Sequence, residues 1–182
     1  LWIQLDQNIR NENDMEGAKE PSSAPKYRGV NSFIEEFTTE KFVGGFNIEH
    51  VKDASGRPLR HTINQTMMRV DLPTALQSGE QYTFSIKWWY KINNHVTDRA
   101  RSGYEYFEED DNYLYTIAQF FPRMAVYNDV EGWQNKQFLG RGEFTLPFGD
   151  YRVSITVPAD HVIASTGELQ NASNVLTSEQ RK

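Results

Sequence analysis

Residues 82–92, with the sequence YTFSIKWWYKI, decide the fold class of this chain. Every second residue from Tyr82 to Ile92 is aromatic or isoleucine, whereas four of the five residues between them are polar. A period of two places the six apolar side chains on one face of a strand, while a helix would scatter them around its circumference. One buried face and one wet face are typical of an antiparallel sheet. The segment therefore predicts an antiparallel strand.

Similar patterns occupy most of the remaining sequence. Gly44 and Gly45 lie inside one such segment and suggest a bulge or a close backbone approach, and Gly149-Asp150 is expected to join a hairpin. We therefore predict an all-β fold, forming a single β-domain over residues 1–182. The predicted strands besides Tyr82–Ile92 are Trp2–Asp6, Phe42–Asp53, His61–Leu72, Tyr113–Phe120, Gly142–Phe148, Tyr151–Val157 and Val162–Ser165.

Three segments interrupt the β pattern. Residues 8–29 are polar and contain Pro21 and Pro25, which predicts a flexible loop. Ser32–Lys41 has the spacing of a short helix. Thr177–Gln180 has the form of a capping box, so a helix is expected to begin there and residues 172–182 to link to a further domain. Since Leu1 is not a natural start, we expect a mature or excised piece, incomplete at both ends.

Composition excludes several classes of function. The net charge of −6 argues against sequence-independent binding of nucleic acid, which requires a basic surface. The chain has no cysteine, so neither a disulfide framework nor a thiolate metal site can form. No apolar run has the length of a transmembrane helix, and no signal peptide is present.

The titratable residues do not form a recognisable motif. His50, His61, His95 and His161 lack metal-ligand spacing, although His50 and His61 could meet across a hairpin. The acidic residues between Glu105 and Asp111 could bind calcium, but they lack the glycine-punctuated spacing of an EF-hand. We interpret both sets as ordinary surface or half-buried residues, and we predict no catalytic or metal-binding residue in this chain.

The segment AQFFPRM, residues 118–124, is the strongest candidate for a site. It leaves a predicted strand through an aromatic pair and a proline. The Gln119 side chain has two donors and one acceptor, so it can bind a charged or amide group without carrying charge. The alternative is a polar edge residue that only satisfies neighbouring backbone.

Four ordered blocks carry a family resemblance: GYEYF at 103–107, YTIAQFFPRM at 115–124, GWQNKQFLGRGEF at 132–144 and ADHVIASTGELQN at 159–171. Together they resemble the amino-terminal domain of the aminopeptidase N family of zinc metallopeptidases, in a bacterial branch. The resemblance implies a broad, saddle-shaped antiparallel β assembly. It also implies an exported hydrolase, periplasmic or extracellular, whose zinc lies in another domain of the same chain.

The catalytic elements of that family are missing here, since the chain contains no His-Glu-x-x-His. The resemblance therefore implies a non-catalytic domain that forms one wall of the active-site cleft. Gln119 matches the family's glutamine, which lies near the free amino end of a peptide substrate. Its neighbours Phe120, Phe121 and Arg123 would shape the same pocket.

Two further interpretations stay open. The first is a free-standing β-sandwich module that binds peptide or carbohydrate, with Trp89 and Trp133 as stacking platforms. The second is a purely structural domain. If a partner domain docks on this one, its docking face should be apolar, and we expect self-association through that face.

Overall fold

A computed structural model of the protein describes residues 1–11, 42–98, 102–139 and 146–181, together with Val30, Ile34 and Thr38. Most of the predicted loop over residues 8–29, most of the predicted helix Ser32–Lys41 and residues 142–145 of one predicted strand lie outside these ranges. The chain divides into two compact units, Leu1–Phe148 and Gly149–Lys182, and each is described by itself.

The first unit is built from short strands, and every pairing between them is antiparallel. The predicted all-β, antiparallel class is therefore confirmed. The strands that form in the described part of the chain are β1 Trp2–Gln4, β2 Asn47–Asp53, β3 His61–Asn64, β4 Met67–Val70, β5 Phe84–Trp89, β6 Gly103–Phe107, β7 Asn112–Thr116, β8 Arg123–Met124, β9 Tyr127–Asn128 and β10 Gly132–Trp133.

The largest sheet has the strand order β3-β4-β1-β8, so the first strand of the chain lies in its interior. Ile3 pairs with Met68 of β4 on one side and with Met124 of β8 on the other. The chain then enters a 3₁₀ helix, Asp6–Arg10, whose residues Asp6, Gln7 and Asn8 are buried. The first three residues of the predicted loop, Asn8 to Arg10, therefore belong to this helix, and Asn8 is buried.

The core of this unit lies between the four-stranded sheet and the β2–β5 pair. Burying these side chains provides the main driving force for folding, at about 25 cal/mol for each Å² of apolar surface removed from water. The buried members are Ile3, Leu5, Phe46, Val51, Leu59, Met68 and Val70, and the half-buried side chains packed against them include Phe84, Ile86, Trp88 and Tyr90.

β5, Phe84–Trp89, is shorter than the strand predicted over Tyr82–Ile92, but it confirms the alternation of the two faces. Its side chains alternate strictly between half-buried and exposed, with Phe84, Ile86 and Trp88 on the inner face. β5 pairs antiparallel with β2, and the bulge in this pair falls between Ile48 and His50 instead of at the glycines. Gly45 precedes β2 and has a φ of +108°, and a Cβ built there would lie 1.7 Å from Asn11 Oδ1. Gly44 donates its backbone N–H to the Arg10 carbonyl at 2.8 Å, so the predicted close backbone approach is confirmed.

The single strand predicted over His61–Leu72 is wrong. The segment forms a hairpin, in which β3 and β4 pair directly and Asn64 lies opposite Met67. The two-residue turn consists of Gln65, with a φ of +52°, and Thr66. Leu5 donates its backbone N–H to the Thr66 carbonyl, and Asn8 Nδ2 donates to the Gln65 carbonyl, at 2.8 Å in both cases. These bonds hold the turn against the start of the chain.

The strand predicted over Tyr113–Phe120 is shorter in the structure, where β7 ends at Thr116. Its partner is β6, to which the pattern analysis assigned no strand. Gly103, the first residue of β6, has a φ of +148°, and a Cβ there would lie 2.4 Å from the Asn93 carbonyl oxygen. Glycine therefore allows the base of the β6–β7 hairpin to lie directly on this neighbouring backbone.

The second unit has little regular structure. Tyr151–Val157 and Val162–Ser165, both predicted as strands, form none, and the exposed side chains include Val153 and Ile155. Its one helix among the described residues is α1, Ala172–Val175. The predicted capping-box contacts do form: Thr177 N–H donates to Gln180 Oε1 at 2.9 Å, and Gln180 N–H donates to Thr177 Oγ1 at 3.2 Å.

Across the described ranges, we find no helix that combines the length and the apolar character needed to cross a membrane.

Candidate functional site

Gln119 has an unusual backbone conformation. Its φ is +52°, in the left-handed region, which costs an L-residue roughly 1–2 kcal/mol. Among the described residues, Gln65 and Asp111 are the other non-glycine residues with positive φ, and both lie in the turns of hairpins. Gln119 lies in no hairpin turn, so other contacts must hold it in this conformation. Backbone outliers of this kind cluster at functional sites.

Gln7 supplies the first of these contacts. The Nε2 of its buried side chain donates to the carbonyl oxygens of Ala118 and Gln119, at 3.2 and 3.1 Å. Because both acceptors are backbone atoms, the bonds fix the path of the chain and leave the Gln119 side chain uninvolved. Arg10 in turn donates to Gln7 Oε1 at 3.3 Å, so both ends of the Gln7 amide are engaged.

Trp88 supplies the second contact from the opposite sheet. Its indole Nε1–H donates to the Phe120 carbonyl oxygen at 3.0 Å. Since β5 places Trp88 on its inner face, this bond ties the segment after β7 to the β2–β5 pair. The Phe120 and Phe121 rings then pack edge to face, with their centroids 5.1 Å apart.

An ion pair between Arg123 and Asp6 supplies the third contact. Arg123 Nε donates to Asp6 Oδ2 at 2.7 Å, the aspartate side chain is 0% exposed and the arginine side chain is 15% exposed. Burial raises the pKa of the Asp6 carboxyl, and the Arg123 guanidinium partly opposes this. Arg123 was expected to shape a substrate pocket, but its guanidinium instead binds a buried carboxylate. We therefore assign it a structural role.

These three contacts define the anchored loop, residues 118–123. In it the Gln119 side chain is exposed and makes no hydrogen bond to the described residues. The side-chain amide of Gln119 is therefore free to bind a ligand. Its oxygen can accept a hydrogen bond from an ammonium group, and its NH2 group can donate to a carboxylate or carbonyl. Because the backbone is already fixed, only the Gln119 side chain has to be ordered when a ligand binds, which reduces the entropy lost.

The histidines do not come together. His50 lies on β2 opposite Lys87, and His61 lies on β3, which belongs to a different sheet. His95 Nε2 lies 3.0 Å from Glu105 Oε2. His161 Nδ1 lies 2.7 Å from Asp160 Oδ1, and this hydrogen bond is the main reason why the pKa of Asp160 is lowered.

The acidic residues form the tip of the β6–β7 hairpin. Asp111, with a φ of +47°, accepts a hydrogen bond from the Tyr106 hydroxyl at 2.9 Å, which raises the pKa of that tyrosine. Within the described ranges no three His, Asp or Glu side chains are arranged to hold a metal ion.

The two candidate stacking tryptophans differ in their surroundings. The Trp89 residue is 49% exposed on the outer face of β5. Trp133 is half-buried, and its ring meets that of Tyr127 edge to face, with the centroids 5.4 Å apart. Trp89 is thus the more accessible of the two.

Asp6 and Gln7 were missed by the sequence analysis. No local signal marks them, because each is an ordinary polar residue after a short strand and its partner lies more than a hundred positions away. Comparison of the chain with protein-family models, curated proteins and solved structures finds no match.

Proposed function

We propose that this chain is the non-catalytic β-domain of a zinc-dependent aminopeptidase, forming one wall of the cleft that receives peptide substrates. In this proposal Gln119 recognises the free amino end of the peptide, and the zinc and its ligands belong to another domain. The strands would form the saddle-shaped assembly that the resemblance implies, in an exported enzyme.

The observation that carries the proposal is the anchored loop. Hydrogen bonds from Gln7 and Trp88 hold its backbone, and the Arg123 side chain is held by the ion pair with Asp6. Gln119, the residue in the left-handed conformation, has an exposed side chain. A neutral carbonyl oxygen at Gln119 can accept hydrogen bonds from a substrate ammonium group. An amide fixed at one point of a cleft would favour peptides that end there over those that continue.

The test uses the full-length product of the gene that encodes this chain. We expect it to hydrolyse aminoacyl-anilides, and we expect a chelator to abolish this activity. Gln119→Gly removes the amide while keeping the left-handed backbone accessible. This variant should raise KM for substrates with a free amino end. Its free energy of unfolding should stay close to that of the unmodified protein.

The matched control is Gln134→Gly, since Gln134 lies outside the anchored loop and its side chain bonds Glu131 near the surface. Absence of chelator-sensitive hydrolysis would refute the aminopeptidase assignment. Unchanged kinetics of Gln119→Gly in an active enzyme would refute only the role of Gln119.

A second candidate function is a binding module for peptide or carbohydrate. The exposed indole of Trp89 favours it, because aromatic faces bind sugars and peptides by stacking. Saturable binding of a sugar by this chain, lost in Trp89→Ala, would support the module over the aminopeptidase domain.

A further inference from the structure

The β6–β7 hairpin carries four tyrosines on one face. The strand register places Tyr104 opposite Tyr115 and Tyr106 opposite Tyr113, so all four rings lie on the same side of the two-stranded ribbon. Ring centroids of Tyr106 and Tyr113 are 4.8 Å apart, and those of Tyr113 and Tyr115 are 6.0 Å apart. We call this surface the tyrosine face.

Contacts between the four rings explain why the tyrosines lie side by side, but they do not explain why the rings remain exposed to solvent. Cross-strand aromatic pairs stabilise a hairpin. Yet Tyr106, Tyr113 and Tyr115 stay 42%, 45% and 44% exposed, so their ring surfaces meet solvent as one continuous patch. Contiguous exposed aromatic surface of this kind marks an interaction site.

The hairpin is held firmly at its base. Tyr104 N–H donates to the Asn93 carbonyl at 2.8 Å, and His95 N–H donates to the Tyr104 carbonyl at 3.0 Å. The approach of Gly103 to the Asn93 backbone leaves no room for a side chain. The rings are therefore presented on a fixed support, which lowers the entropic cost of binding.

The charged residues within the β6–β7 hairpin itself are all of one sign. Residues 102–116 contain five carboxylates and neither lysine nor arginine. Asp111 contacts the face directly through the Tyr106 hydroxyl, whereas Glu105 already binds His95. The faces of tyrosine rings attract cations, and so do carboxylates. Both groups of this hairpin therefore favour a positively charged ligand.

We propose that the tyrosine face binds an extended, arginine-containing segment of a partner polypeptide. Guanidinium groups stack on aromatic rings and bind carboxylates in a fork geometry, which ammonium groups do less well. Alternate side chains of an extended segment lie about 6.6 Å apart, close to the spacing of the rings along β7. This site is separate from the anchored loop and does not depend on the function proposed above.

The experiment titrates this chain with a fluorescent peptide of alternating arginine and serine, using the matching lysine peptide for comparison. We expect saturable binding that is stronger for the arginine peptide and weaker at high salt. The double variant Tyr106→Leu/Tyr113→Leu keeps the apolar bulk and removes two aromatic faces. Its binding should be weaker by roughly five- to thirtyfold.

Tyr127→Leu is the matched control, because Tyr127 is an exposed tyrosine, 65% accessible, on the separate β9–β10 hairpin. It should bind the peptide as the unmodified chain does. If circular dichroism shows that the double variant does not fold, Asp110→Asn/Asp111→Asn serves instead and should also weaken binding.

Three results would overturn the proposal. The arginine peptide fails to bind, or it binds the folded variants as tightly as the unmodified chain. Alternatively, the unmodified chain self-associates and the double variant does not, which would make the tyrosine face an interface between two copies of this chain.

Discussion

Replacing Arg123 by methionine removes the cation that neutralises Asp6. The carboxylate is fully buried and its partner is 15% exposed, so solvent screens the pair very little. Breaking such a pair from one side leaves a buried charge without compensation, which costs about 3–5 kcal/mol. We therefore expect the free energy of unfolding of Arg123→Met at pH 7 to fall by about this amount, measured by urea denaturation with tryptophan fluorescence.

The pH dependence of this loss distinguishes a buried charge from lost packing. Burial already raises the pKa of Asp6 above its ordinary value of 3.8, and removing Arg123 raises it further. A folded-state pKa above the unfolded-state value means that the folded protein binds the proton more tightly. The loss of stability is therefore largest at neutral pH and becomes smaller as the pH falls through the folded-state pKa.

Two further variants test this explanation. Lys87→Met breaks an exposed pair with Glu49, in which both side chains are more than 40% exposed, and it should cost only about 0.2–1 kcal/mol. Asp6→Asn added to Arg123→Met removes the uncompensated charge and should recover part of the loss. Equal costs for Arg123→Met and Lys87→Met, or a loss that does not change with pH, would refute the reasoning.

The remaining predictions concern polar contacts elsewhere in the first unit. Gln7→Leu removes both Gln7 hydrogen bonds to the anchored loop and should cost about 1–3 kcal/mol in urea denaturation. Gln77→Leu, at an exposed amide of the same unit, should change stability by under about 0.5 kcal/mol, and equal effects would contradict the anchoring role. Hydrogen bonds from Ser55 and Arg57 lower the pKa of Asp53 to about 2, so its contribution to stability is complete above pH 3.8 and is lost as the pH falls through 2. An NMR titration of Asp53 that gives an ordinary pKa would disprove this.

Alternation of apolar and polar residues predicted a strand correctly where one face of the strand is buried and the other is exposed. Phe84–Trp89 alternates in sequence and in burial because the core packs against one of its faces and the other face is exposed. The turn at Gln65-Thr66 was missed because neither residue is typical of tight turns, and the contacts that hold it come from Leu5 and Asn8. Local sequence does not encode such distant support.

The opposite error occurred at residues 151–157. Their alternation is as regular as that of β5, yet no strand forms there. A strand requires a neighbour for its backbone hydrogen bonds, and periodicity reports only the side chains. Likewise, the sequence singled out Gln119 but not its unusual φ, because that conformation depends on Gln7 and on the sheet contacts around it.

The interior position of β1 has a consequence for how the protein is made. Its two neighbours come from much later in the sequence, and the Asp6–Arg123 pair joins groups 117 residues apart. Closing loops of this length slows folding. During synthesis on the ribosome, one edge of β1 therefore stays unpaired until β8 has emerged. A nascent chain stalled before that point would expose an unpaired β edge to chaperones and to other nascent chains.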